Sequence, residues 1–201
     1  MFKIGVLALQ GAIREHIQQI EKVGCKPVAI KSIEDLKGVN GLILPGGEST
    51  TIRKLLDRNH LLQPIRILAE DGMPIFGTCA GLILLAGEVV GYEEPHLGLM
   101  NVVVERNSYG RQVNSFEVDL TIKDIGEDVP AVFIRAPHIV SVGKDVEILA
   151  THDHRIVLAR DRHFLGCSFH PELTGDTRIM NYFVNMIQQF NNTSLAKLNS
   201  I

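Results

Sequence analysis

Pro74-Ile75-Phe76-Gly77-Thr78-Cys79-Ala80-Gly81-Leu82-Ile83-Leu84-Leu85-Ala86 joins two apolar runs through a glycine-flanked cysteine. The run 74–77 reads as a strand buried on both faces, and 82–86 reads as an apolar helix. Gly77-Thr78-Cys79-Ala80-Gly81 is then a G-x-C-x-G turn between strand and helix, a nucleophile elbow with sulfur in place of oxygen. In such a turn the glycines relieve crowding, and the next backbone N–H helps to hold an oxyanion. Cys79 would stand at a helix N-terminus, where unpaired N–H groups and the macrodipole favour thiolate over thiol. A small buried core residue beside a Gly-rich turn fits the same five letters, so the motif needs partners before it means chemistry.

Upstream of the elbow, strand-like and helix-like segments alternate. Residues 3–9 are a continuous apolar run, and 12–23 carry Ile13, Ile17 and Ile20 at helical spacing with Gly24 in place as a C-terminal cap. A strand at 27–30, a helical turn opened by Ser32 and Asp35, a buried strand at 41–44 and helices at 51–57 and 61–71 follow. Such alternation makes a parallel sheet with helices on its faces. Beyond Gly87 the pattern changes to short strands at 102–104, 116–122, 132–134, 146–150, 156–159 and 164–169. Most connections between them are too short for helical crossovers, so antiparallel pairs are expected there. A helix over 176–190 closes the chain. The expected fold is α/β, with a mostly parallel central sheet flanked by helices and an antiparallel β-rich second half. One domain spans 1–190, and 191–201 form a polar tail.

The composition narrows the function classes. With 201 residues, 45% hydrophobic and 21% charged, the chain can bury a full core, and disorder is excluded as its general state. A net charge of −3 offers no bulk positive field for a phosphate backbone, so nucleic acid is not the expected partner. No apolar run approaches the ~18 residues of a membrane span, and no signal peptide is evident, which points to the cytoplasm. Cys25, Cys79 and Cys167 are too few and too widely spaced for a disulfide framework or a CxxC metal site. Cys25 and Cys167 read as small buried residues. His152-Asp153-His154 with His163 falls in polar turns and is not read as a metal site, so no metal or cofactor is expected.

Two further stretches supply what the elbow lacks. His170-Pro171-Glu172 follows the apolar strand 164–169. In an extended segment residues i and i+2 share a face, so the Glu172 carboxylate can hold one imidazole nitrogen while the other meets a thiol. That is the logic of a catalytic triad, in which a carboxylate sets the tautomer and stabilises the imidazolium. Alone, the tripeptide would equally suit a surface turn with a chance ion pair. Pro45-Gly46-Gly47-Glu48-Ser49 ends the strand 41–44, and its glycines allow backbone N–H groups to turn toward a ligand. Gly47 and Ala80 are thereby candidate donors to an oxyanion. The absence of a Lys after the glycines argues against a phosphate loop.

Strand-end Gly-Gly, G-x-C-x-G and His-Pro-Glu together resemble the class I, or triad, glutamine amidotransferases, whose fold is a flavodoxin-like three-layer α/β arrangement. Leu9-Gln10-Gly11-Ala12-Ile13-Arg14-Glu15-His16, Pro45-Gly46-Gly47-Glu48-Ser49-Thr50-Thr51, Glu105-Arg106-Asn107-Ser108-Tyr109-Gly110-Arg111-Gln112 and Phe133-Ile134-Arg135-Ala136-Pro137 resemble, more narrowly, the glutaminase subunits of pyridoxal 5′-phosphate synthases. The resemblance runs from Lys3 to about Phe190. It implies Cys79 as nucleophile, His170 as base and Glu172 as its orienter. It implies glutamine binding by Gly47, Glu48, Ser49, Arg106, Ile134 and Arg135, a guanidinium being suited to an α-carboxylate. It also implies a synthase subunit as partner, receiving ammonia and itself binding ribose 5-phosphate and glyceraldehyde 3-phosphate. Three other readings stay open on the residues: the glutaminase of another synthase such as imidazole glycerol phosphate synthase, a cysteine peptidase acting alone, and a non-catalytic binding subunit.

Overall fold

In chain order the elements of the first half are β1 (Lys3–Leu7), α1 (Ile13–Lys22), β2 (Lys26–Ile30), β3 (Gly41–Leu44), α2 (Ser49–Arg58), α3 (Leu62–Glu70), β4 (Ile75–Thr78) and α4 (Ala80–Leu85). The second half holds β5 (Ala86–Val89), β6 (Met100–Glu105), β7 (Ser115–Ile122), β8 (Gly126–Ile134), β9 (His138–Val142), β10 (Glu147–His152), β11 (Arg155–Asp161), β12 (Phe164–Cys167) and α5 (Arg178–Leu198). The computed structural model describes residues 1–94, 96–106 and 115–198, with side chains described to 192. Residues 107–112 of the motif that begins at Glu105, and the last three residues of the expected tail, lie outside the described residues.

The large sheet has the order β2-β1-β3-β4-β12-β11-β9-β6-β5, with β10 paired to β11. Its first five strands run parallel to one another. From β12 onward the pairing turns antiparallel through β11, β9 and β6, while β5 lies parallel to β6 at the edge. β7 and β8 form a separate antiparallel ribbon. The central parallel strands β1, β3, β4 and β12 are buried on both faces, and their side chains divide by alternation. Leu42 and Leu44 of β3, Ile75 of β4 and Phe164 of β12 enter one core with α2, α3 and α4. Ile43, Phe76, Leu165 and Cys167 enter the other with α5 and the ribbon. This is the three-layer arrangement that continuous apolar strands require.

Four elements depart from the sequence expectation. β5 and β9 were not expected: β5 has only four residues with two exposed, and Ile139 is the one fully buried residue of β9, so neither carries a clear period-2 signal. β8 begins at Gly126 rather than 132 because Pro130 interrupts the reading. In the ribbon Pro130 faces Asp119, and a strand with one ladder partner tolerates a missing N–H on its other edge. α5 continues through Leu198 instead of ending at 190. The apolar periodicity of the sequence gives out after Phe190, whereas the backbone stays helical beyond it.

Candidate active site

The elbow is fixed by close packing. A Cβ on Gly77 would come within 2.4 Å of the Gly81 carbonyl oxygen, and one on Gly81 within 1.9 Å of the Leu44 oxygen on β3. Only glycine permits that approach. Between them Cys79 adopts φ 50° and ψ −103°, outside the regions an L-residue prefers, and its N–H donates to Cys167 O at 2.8 Å. A strained residue pinned at the junction of two parallel strands and a helix is held in one orientation by everything around it. The residue is 8% exposed, and its sulfur lies 3.9 Å from the Ile134 carbonyl oxygen.

β12 delivers the second half of the site. Past Cys167 the chain reaches His170, whose N–H donates to Val132 O of β8 at 2.8 Å. The expectation that residues 170–172 are extended is corrected here: residues 171–173 form a 3₁₀ turn, and His170 has φ −114° and ψ 81°. The turn, begun by Pro171, folds the carboxylate back, and His170 Nδ1 donates to Glu172 Oε1 at 2.8 Å. Both side chains are buried. Burial alone would favour a neutral imidazole. The hydrogen bonds to Cys79 and Glu172 outweigh it and push the His170 pKa up to about 10. Burial likewise opposes the Glu172 charge, but His16 and His170 hold the carboxyl below its usual range. The imidazolium is thus the resting form of His170 at neutral pH.

α1 braces this segment from below with polar groups, not with the isoleucine stripe that its spacing suggests. His16 and Gln19 are buried with Ile20, whereas Ile13 and Ile17 are only partly covered. Gln19 Nε2 donates to Thr174 O at 2.9 Å and to Asp176 O at 3.2 Å. His16 Nε2 lies 3.2 Å from Thr78 Oγ1 and 3.6 Å from Glu172 Oε1.

Above the thiol is a cavity of about 480 Å³. Of the candidates named from sequence, Gly47, Glu48, Ser49, Cys79 and Ala80 line its first-half wall. Arg106, Ile134, Arg135 and His170 line the other, and Glu172 stands behind His170, out of the cavity. Glu48 is committed on both sides. Its Oε2 caps α2 through Thr51 N–H at 2.9 Å and also receives both threonine hydroxyls, while its Oε1 receives Arg106 Nη2 at 2.8 Å. The Thr50 hydroxyl is the largest of the influences that draw its pKa down to about 2. Arg106 also donates to the Tyr92 hydroxyl and lies over that ring. Among the residues at the site without an assigned role in the sequence reading are Gln10, whose Oε1 accepts Glu48 N–H at 2.8 Å, and Thr78, whose Oγ1 accepts Gly46 N–H at 3.2 Å. Gln10 stands in the first quoted family-like stretch and Thr78 is the variable position of the elbow. Nothing in a single sequence marks either as a brace.

An elbow thiol on one parallel strand, facing an imidazole–carboxylate pair beyond the next strand, belongs to a known class of fold. A solved glutamine amidotransferase superposes with a TM-score of 0.88 at 46% identity, covering 92% of this chain and 98% of that one. The family model described as the SNO glutamine amidotransferase family matches residues 6–189, and the chain belongs to that family. It is 61% identical over 187 residues to the pyridoxal 5′-phosphate synthase subunit PdxT of Geobacillus thermodenitrificans, covering 93% of this chain and 96% of the relative. It is 59% identical over 189 residues to the subunit of the same name from Anoxybacillus flavithermus, with 94% and 98% covered.

Proposed function

We propose that the chain hydrolyses L-glutamine to L-glutamate and ammonia, and supplies the ammonia to a pyridoxal 5′-phosphate synthase subunit with which it forms a hetero-oligomer in the cytoplasm. The observation that carries this reading is the Cys79–His170–Glu172 arrangement at the floor of a cavity, in a chain 61% identical to a pyridoxal 5′-phosphate synthase subunit.

In this reading the γ-carboxamide of glutamine enters over Cys79, and the Cys79 thiolate attacks its carbon. The C=O electron pair moves to oxygen, where backbone N–H groups of Gly47 and Ala80 stabilise the oxyanion. As the tetrahedral intermediate collapses, His170 gives its proton to the departing nitrogen, and ammonia leaves a γ-glutamyl thioester on Cys79. The now neutral His170 takes a proton from water, whose oxygen attacks the thioester, and glutamate departs as the thiolate and imidazolium are restored. Glu172 keeps the imidazole oriented and its charge balanced throughout. Arg106 binds the α-carboxylate, and the Ile134–Arg135 segment offers backbone groups to the amino end. Ammonia released into bulk water is protonated and ceases to be a nucleophile, so transfer within a docked complex is the useful outcome.

The test is glutamate release from glutamine with and without the synthase subunit. Partner-stimulated release that disappears in Cys79→Ala is expected, with a loss on the order of 10⁶-fold in turnover for a nucleophile that works as part of a unit. Release indifferent to that subunit would assign the chain to another synthase. No release in either state would favour a binding subunit.

A further inference from the structure

His16 is wholly buried beneath the site, and nothing in the reaction above uses it. A packing role alone would be better served by an apolar side chain, because a buried imidazole loses its hydration. Its placement is specific. Glu172 Oε1, 3.6 Å away, is the oxygen that also receives the His170 proton. A carboxylate oxygen beside Nε2 is repelled by a ring lone pair and attracted by an N–H, so Nε2 carries the proton. Thr78 Oγ1, 3.2 Å from the same nitrogen, then accepts from His16 Nε2–H and from Gly46 N–H, one for each of its two lone pairs. The unprotonated Nδ1 has no hydrogen-bond partner among the described residues, and a buried lone pair is less costly to leave unpaired than a donor.

One side chain therefore touches the acid behind His170 and the hydroxyl that holds Gly46. Thr78 immediately precedes Cys79, and Gly46 immediately precedes Gly47. We propose that His16 is a positioning residue for glutamine hydrolysis: its Nε2–H donates to Thr78, which holds the Gly46–Gly47 loop in register with Cys79, and the same N–H lies close enough to the Glu172 carboxylate to favour its charged form. This rests on the glutaminase reading of the site.

The charged and titratable groups around His16 are Glu172 and His170 across the buried face and Glu15 on its own helix. Burial draws its pKa down, against the pull of Glu172. The Nε2–H dipole, 3.6 Å from Glu172 Oε1, favours the charged carboxylate, and loss of the donor removes that support. The acid limb of the rate profile should then move to higher pH.

The experiment measures glutamate release by the complex with its synthase subunit, for wild type, His16→Leu and His16→Gln. Leu fills the space without a donor, while the Gln amide places an N–H near the position of Nε2. In His16→Leu, kcat should fall about 10- to 100-fold, the loss typical of groups that orient a reacting residue. KM should stay within about twofold and the acid limb should move up. His16→Gln should recover most of the rate and the original profile. If His16→Leu does not fold, His16→Asn replaces it, since its shorter amide reaches only the Nδ1 position and should not rescue. Wild-type rate and profile in His16→Leu would overturn the proposal, and so would equal impairment of the donor and non-donor variants with an unmoved acid limb. An inactive wild-type complex, or an active Cys79→Ala, would instead overturn the glutaminase reading itself.

Discussion

Cys79, His170 and Glu172 are each less than a tenth exposed, and their positions follow from backbone that has no room to move: two glycines in contact with carbonyls, a 3₁₀ turn, and hydrogen bonds to neighbouring strands. Glu48 and Arg106, from the two walls of the same cavity, meet as an ion pair at its rim, and the Glu48 side chain is 46% exposed. The proposed reacting floor is built by steric necessity, whereas the proposed recognition rim is built by an ion pair whose partners a zwitterionic substrate could exchange. Such a division lets the floor stay preorganised while the rim adapts.

If the floor acts as one unit, Glu172→Gln should be far more damaging than its lack of contact with the cavity suggests. Turnover is expected to fall about 10³- to 10⁴-fold, the loss that follows when a triad imidazole is left in the wrong tautomer. A loss below tenfold in steady-state glutamate release would break the comparison. Arg106→Ala tests the rim. Removing a charged hydrogen bond worth roughly 1.5–3 kcal/mol should raise KM for glutamine about 10- to 100-fold with little change in kcat. A fall in kcat of the same size would mean that the two walls are coupled.

The charge state of the floor offers a spectroscopic check. The folded His170 pKa of about 10 lies above its ordinary value of 6.5. Its stabilising contribution is therefore complete below about 6.5 and disappears as pH rises through about 10. Nitrogen-15 spectra should show an imidazolium well above pH 8 in wild type and a lower midpoint in Cys79→Ala, which lacks one of its hydrogen bonds. Identical midpoints would show that the thiol does not act on the ring. The smallest effect belongs to Glu48→Ala. Loss of the α2 cap should cost about 1 kcal/mol in a denaturant melt. The cap's contribution is full above about 4.5 and disappears toward 2, in the opposite sense to His170.

The legible parts of the molecule are those in which one local pattern decides the structure. Parallel strands buried on both faces are continuous apolar runs, and β3 spans residues 41–44 as its sequence suggests. The thiol and the His-Pro-Glu tripeptide each stand directly after such a run. What stayed hidden depends on distant neighbours. His16 stands within the isoleucine stripe of α1, three residues after Ile13 and four before Ile20, and nothing local marks it as a polar brace, while Thr78 acquires its role only because Gly46 is brought against it. Glu48 could be assigned to the substrate loop, but its double attachment to the helix cap and Arg106 required the position of β6, which carries Arg106 at its end, relative to α2.

The strand order has a consequence for synthesis. β4, which ends beside Cys79, pairs with β12, which leads to His170, and every strand from β5 to β11 is made between them. A chain emerging from the ribosome therefore carries its thiol long before the imidazole that activates it. Until β12 docks, the edge of β4 is open to other strands, and closing so long a segment is slow. Catalytic competence is thus among the last properties the nascent chain acquires, and a chain truncated before Phe164 would be both inert and prone to aggregate.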